Sequence, residues 1–320
     1  MKKFKLGWKL HVALLLAMAA IVVLVIVKLD AWNKRTVVID KNIDPTAYET
    51  ESYDLSFHVD QSILDAREDD GVNKMLVIGN YGAIRPSDAG KSVLDRIKDK
   101  MPDWQIDSVC AYYSMVTCPS FIADGDYPGG HYWSPYSLYY IVKSMINKEY
   151  DVQEWNLYEN GAIEKSGADE WLANFESIDI ETYDTVLIMY ASADYYQNQI
   201  LYNPDNDYDV CSYVGSLRST ITMLKEKYPY IRIVVSSPYL TYSTWGDERC
   251  LGTLTNFGNG TEAEYVTREY DVCTQYCVSF IDNYFNYITE KNYEEYINDK
   301  GLNDKGVEAV SDHIVEFLAD

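Results

Sequence analysis

The chain has 320 residues, enough for one large domain with a sizeable core. It carries 50 Asp and Glu against 27 Lys and Arg, a formal charge of -23. A surface of that sign repels nucleic-acid phosphates and anionic lipid headgroups, which excludes nucleic acid as a partner. The 30 tyrosines and 7 tryptophans fit an exposed, hydrogen-bonding surface that meets sugars or protein.

Residues 1–9 form a basic tail through Lys2, Lys3, Lys5 and Lys9. Val12 to Val27 is then apolar without a break. As a helix this run covers about 24–27 Å, just short of a hydrocarbon core, and Lys28 can snorkel to extend it. Bulky residues from Val25 to Leu29 leave no small-x-small cleavage site, which disfavours a cleaved signal peptide. The expectation is an uncleaved signal anchor over residues 10–29, amino terminus in the cytoplasm and the rest outside the cell membrane. Residues 30–72 read as a stalk, with a short strand over 36–39, a turn or two of helix over 62–68, and a turn at Asp69-Asp70-Gly71.

From residue 73 to 320 the pattern is regular. Met75 to Ile78 is a short apolar strand that ends in Gly79-Asn80-Tyr81-Gly82, a strand-to-glycine-loop junction of the site-forming kind. A helix capped by Ser87 follows, with Val93, Leu94, Ile97 and Met101 on one face. Trp104 to Cys110 is the second strand. Residues 111–134 are irregular and contain His131. Leu138 to Met145 is helical, residues 150–170 read as loop, and Trp171 to Phe175 is a short helix. Thr185 to Tyr190 is a near-continuous apolar run, as in a parallel strand covered on both faces, and it ends in Ala191-Ser192-Ala193-Asp194. The acidic loop after it lacks the glycine and terminal glutamate of an EF-hand, so no metal is assigned there. Val214 to Leu224 is a helix face and Ile231 to Val235 a strand. Residues 239–260 read as a long loop, 263–276 as helix, 278–281 as strand and 304–318 as the last helix. Five strands alternating with helices predict a three-layer α/β/α sandwich around a parallel sheet.

Six cysteines in an exported domain, Cys110, Cys118, Cys211, Cys250, Cys273 and Cys277, lack the clustering of a zinc site. They are expected to form disulfides, with Cys110 to Cys118 among the more local options and buried thiols as the alternative. Asn259-Gly260-Thr261 matches a glycosylation sequon.

The order and spacing of the runs at 183–190, 203–206, 228–238, 281–284 and 303–306 resemble the SGNH (GDSL-like) hydrolases, over roughly Met75 to Leu318. The resemblance implies a flavodoxin-like sheet. It also implies a serine nucleophile after the first strand, a histidine base with an aspartate three residues before it, and glycine and asparagine oxyanion donors. Each block departs from that pattern here. Asn80-Tyr81 stands for Asp-Ser. Ser114 lies where a glycine block aligns, and Ala193-Asp194 stands for Asn-Asp. Asn298 and Gly301 replace the aspartate and the histidine. A rebuilt site would have to draw on Ser192, Ser114, His131 and Asp299, while His313, inside the last helix, reads as a surface or packing residue. No cofactor or metal is implied. The expectation is a membrane-tethered domain that has lost ester hydrolysis and binds a surface glycan or envelope protein. The alternative is a carbohydrate O-acyl esterase with non-standard catalytic residues.

Overall fold

In a computed structural model the chain is described at residues 15–18, 21–26, 28, 53–66, 70–119, 134–155, 167–245 and 248–319. Two units separate, Met1–Glu49 and Thr50–Asp320. In the first, residues 15–18, 21–26 and 28 are helical, and Leu15, Leu16, Met18, Ile21 and Leu24 are exposed. Among the described residues no helix is long and apolar enough to cross a membrane. The rest of the expected span over 10–29, and the expected strand over 36–39, lie outside the described residues.

The second unit is built on strands β1 (Lys74–Gly79), β2 (Gln105–Cys110), β3 (Thr185–Met189), β4 (Arg232–Ser236), β5 (Tyr242–Trp245), β6 (Glu248–Leu251), β7 (Ser279–Ile281), β8 (Ile297–Asn298) and β9 (Gly301–Leu302). Five of them form one parallel sheet in the order β2-β1-β3-β4-β7. Every residue of β3 is buried, as its unbroken apolar run predicted. The register aligns Gly79 with both Cys110 and Met189, Met189 with Ser236, and Ser236 with Ile281. The carboxyl ends of all five strands therefore stand in one row, and the loops leaving them share one edge.

The connecting helices are α1 (Tyr81–Ile84), α2 (Val93–Lys100), α3 (Leu138–Asn147), α4 (Ala168–Ser177), α5 (Ala193–Tyr196), α6 (Tyr213–Lys227), α7 (Glu262–Tyr276) and α8 (Asp304–Ala319). The direction in which strands are added to the sheet reverses once, at β1, so right-handed crossovers put α2 on the opposite face from α6 and α7. α8 returns to pack on α2, while α3 and α7 pack on α6. These are the three layers that the alternation predicted.

Several local readings are corrected. α2 is capped by Ser92, whose hydroxyl accepts the Asp95 N–H in a capping box. Ser87 instead closes a turn, donating to the Lys91 carbonyl at 3.0 Å. The expected long loop after Pro238 holds the β5–β6 hairpin, and Asp151–Trp155 is a short helix. The domain also begins before residue 73, because Leu55 pairs with Phe280 on the edge strand β7. No disulfide pair is found among the described residues. Cys110 is buried in the main core and Cys118 in a separate cluster with Tyr140 and Val210. Burial pushes the Cys110 thiol up to about 12, so it behaves as a small apolar side chain.

Candidate functional site

The order β2-β1-β3 makes β1/β3 the point where the sheet changes winding direction. Ligands of such sheets bind above the strand ends there. The chain leaves β1 through Asn80, whose buried side chain is fully used. Its Oδ1 accepts the Gly82 N–H at 3.0 Å and the Ala191 N–H at 2.9 Å, and its Nδ2 donates to the Ser114 carbonyl at 3.0 Å. One amide thus ties together the loops after β1, β2 and β3. The approach is tight, since a Cβ on Gly82 would come 2.8 Å from Ala191 Cβ. Asp194 makes a second tie. Its buried carboxylate accepts the Val116 N–H at 2.9 Å and the Thr117 N–H at 2.8 Å. Burial pushes its pKa up to about 6, against the pull of those hydrogen bonds. Asn80 and Asp194 are therefore architectural.

Tyr81 opens α1 in the place of the nucleophile. Its backbone N–H donates to the Tyr112 carbonyl at 3.1 Å. Its ring lies 5.8 Å from Tyr112, which meets the exposed Tyr113 edge-on at 4.8 Å. Burial pushes the Tyr81 phenol well above its usual range. The negative ends of Tyr239, Tyr196 and Glu262 add to this and Arg85 opposes it. A phenol so placed stays protonated and is no nucleophile at neutral pH.

The base position lies on the β8–β9 hairpin, where Asn298 pairs with Gly301. Asn298 Oδ1 accepts the Lys300 N–H at 2.8 Å and so serves the turn. Gly301 has φ +110, and a Cβ built on it would stand 3.6 Å from both Arg85 Nη1 and Tyr239 Oη. Arg85 ends the same helical turn that Tyr81 begins, its N–H donating to the Tyr81 carbonyl at 2.9 Å. The turn after β1 and the β8–β9 hairpin thus approach each other, with the Arg85 guanidinium and the Tyr239 phenol beside Gly301.

Ser192 does not supply the missing nucleophile. It is 4% exposed, and its hydroxyl donates to Glu262 Oε1. Glu262, fully buried at the start of α7, also accepts the Thr241 hydroxyl, and the Thr241 N–H at 3.0 Å. Burial raises its pKa while these bonds lower it. Its charge is felt by Tyr81, Tyr195, Tyr196, Tyr239 and Tyr284, so five phenols lie near one buried carboxyl. Ala193 has no side-chain donor. Ser114 is 1% exposed and points at the Gly79 carbonyl. Asp299 accepts the Tyr242 hydroxyl at 2.8 Å. His313 packs on Tyr287 and faces Asn283 and Asp54. His131 lies outside the described residues. No group of side chains that could hold a metal occurs among the described residues.

Arg85, Tyr239 and Glu262 were not singled out by the sequence. Arg85 had a local signal, four residues beyond Tyr81 and just before Pro86. Glu262 follows the capping residue Thr261 and reads as a helix-start acid, so nothing in its neighbourhood announces burial.

No family model matches the chain, and no curated protein matches it. Among solved structures, one is similar at 14% identity and TM-score 0.52, over 78% of this chain and 96% of that chain. The lipase/acylhydrolase from Enterococcus faecalis is similar at 13% identity and TM-score 0.43, over 77% of this chain and 94% of that one. Est24, a carbohydrate acetylesterase from Sinorhizobium meliloti, is similar at 10% identity and TM-score 0.40, over 77% and 98%. The likeness at TM-score 0.52 shows a shared fold, here a five-stranded parallel sheet in the order β2-β1-β3-β4-β7 between layers of helices.

Proposed function

We propose that this is a non-hydrolytic SGNH-fold module, anchored by residues 10–29 at the outer face of a cell membrane, that binds a surface glycan or envelope protein above β1 and β3. One observation carries the loss of hydrolysis. At the two converging blocks a protonated phenol and a glycine stand where a nucleophile and its base must share a hydrogen bond. The Ser192 hydroxyl, after β3, is buried and spent on Glu262. The cluster of Tyr81, Tyr112 and Tyr113 rings, tilted and edge-on to one another with Tyr113 exposed, favours a ring-shaped ligand. The Lys2 to Lys9 flank and the exposed apolar helical residues support the anchor.

The test is the full chain in detergent micelles against short acyl esters and acetylated oligosaccharides. Turnover at the uncatalysed background is expected. Turnover that Ser192→Ala abolishes would establish the esterase alternative. For topology, protease added to intact cells should remove residues 53–320 and leave the anchor in the membrane. Full protection without detergent would refute it.

A further inference from the structure

We infer that Arg85 makes this cleft selective for a sugar that carries a carboxylate. The inference rests on the binding-module reading and names the ligand class. Arg96, Arg218, Arg249 and Arg268 each sit within ion-pair distance of a carboxylate. The Arg85 guanidinium forms no ion pair or side-chain hydrogen bond among the described residues, in a chain with nearly two acids for each base. The acids of the surrounding loops are engaged elsewhere. Asp88 pairs with Lys300 at 2.9 Å, Asp299 accepts from Tyr242, and Asp304 accepts the Ala89 N–H at 2.8 Å.

The guanidinium flanks Gly301. Gly301 supplies no side chain, and the position its Cβ would take is 3.6 Å from Arg85 Nη1 and from Tyr239 Oη. That position is within van der Waals reach of a planar cationic fork and of a phenol hydroxyl. A carboxylate matches the fork with two parallel N–H donors and can take a third bond from the phenol. Tyr81, which opens the turn that Arg85 closes, belongs to a cluster of rings that ends in the exposed Tyr113. A cationic fork beside aromatic rings suits a carboxylated sugar better than a free anion.

The experiment is calorimetric titration of the full chain in detergent micelles with trigalacturonate, its methyl ester and galactose 6-phosphate. Trigalacturonate should bind about 10- to 100-fold more tightly than the ester, the range for a lost charged hydrogen-bond pair. Arg85→Gln should remove that preference, so that acid and ester bind within about threefold of each other. Arg85→Lys, which keeps the charge without the fork, should fall between. Tyr239→Phe should weaken the acid alone. Equal binding of acid and ester, no binding of trigalacturonate, or binding of the phosphate in its place would overturn the inference. If Arg85→Gln does not fold, the acid-to-ester ratio in the unaltered chain and in Arg85→Lys decides. Release of methanol from the ester would refute the non-hydrolytic reading, while the Arg85 dependence of acid binding would stand or fall separately.

Discussion

His313 faces Asp54 across the longest hydrogen bond of the fold in sequence terms, Nε2 to Oδ2 at 3.0 Å over a separation of 259 positions. Its other ring nitrogen faces Asn283 Oδ1 at 3.1 Å. The Asn283 amide orientation is fixed, because its Nδ2 donates to Ser236 Oγ at 2.9 Å and to the Ser237 carbonyl at 3.3 Å. Asp54 also accepts the Asp282 N–H at 2.7 Å, and Leu55 exchanges two backbone hydrogen bonds with Phe280 at 2.9 and 2.8 Å. The segment at 53–58 is thereby pinned along β7 and covers an otherwise open sheet edge.

Replacing His313 with Ala should release that segment first. The loss is about 1–3 kcal/mol, at about 0.5–1.5 kcal/mol for each of the two part-buried hydrogen bonds removed. Amide exchange at Leu55 should accelerate by one to two orders of magnitude, at about 1.4 kcal/mol per tenfold, while Leu187 in β3 stays protected. Unchanged protection at Leu55 would mean that the backbone pairing alone holds the edge.

The Asp194 tie makes a separate claim. Asp194→Ala orphans two buried N–H groups, each costing about 1–3 kcal/mol. The affected amides are Val116 and Thr117, in the loop that Asn80 also grips through Ser114. Their exchange should rise, and global stability should drop by a few kcal/mol. Asp194→Asn should be milder, because the amide oxygen can still accept one bond. Equal stability of Asp194→Ala and the unaltered chain would show that water takes over both donors.

The sheet was legible because its strands advertise themselves. An unbroken run such as Thr185 to Tyr190 has one physical reading, a strand covered on both faces. Row alignment of the strand ends then placed Tyr81 and Ala191 near one another. The site was legible only at positions where a known block could be laid over the sequence. Asn80 and Asp194 sat in their blocks, yet their work as loop ties showed only in the hydrogen bonds. Arg85 and Glu262 belong to no block. Their importance comes from what folds around them: Gly301 from 216 residues further on, or Ser192 from 70 residues before. The β5–β6 and β8–β9 hairpins were missed for a related reason. Runs of two to four residues carry too little periodicity to stand out from loop.

Glu269 gives the fold a pH dependence of definite sign. It is buried between α6 and the Asp194 loop, accepts the Tyr213 hydroxyl at 3.1 Å, and has no partner for its other oxygen among the described residues. Burial pushes its pKa to about 8, and the nearby Asp194 charge adds to the shift. The folded-state value lies above the unfolded one, so the native chain holds a proton that the unfolded chain has already released. Stability is therefore lost as pH rises from about 4.5 to about 8, at up to about 1.4 kcal/mol per pH unit for this group. Glu269→Gln keeps an acceptor for Tyr213 and carries no charge. Denaturant midpoints across pH 5 to 8 should fall less steeply in the variant than in the unaltered chain. Parallel slopes would show that Glu269 is already ionised at pH 5.

Restoring the family's residues should not restore its reaction. Tyr81→Ser would put a hydroxyl at the end of β1, but no base stands within reach of it. The base cannot simply be added. Gly301 has φ +110, a conformation that costs an L side chain about 1–3 kcal/mol. Any side chain there also grows from a point 3.6 Å from Arg85 Nη1, so an imidazole must share the gap with a guanidinium. A neighbouring cation disfavours imidazolium, the form that a base must reach once it has taken the serine proton. The combination Tyr81→Ser, Ala193→Asn, Asn298→Asp and Gly301→His should therefore fold with reduced stability and hydrolyse p-nitrophenyl acetate no faster than the unaltered chain. Adding Arg85→Ala removes the competing charge and should give the first turnover above background. If the fourfold variant is already active with Arg85 in place, then the guanidinium does not block the base, and the loss of hydrolysis lies in the missing residues alone.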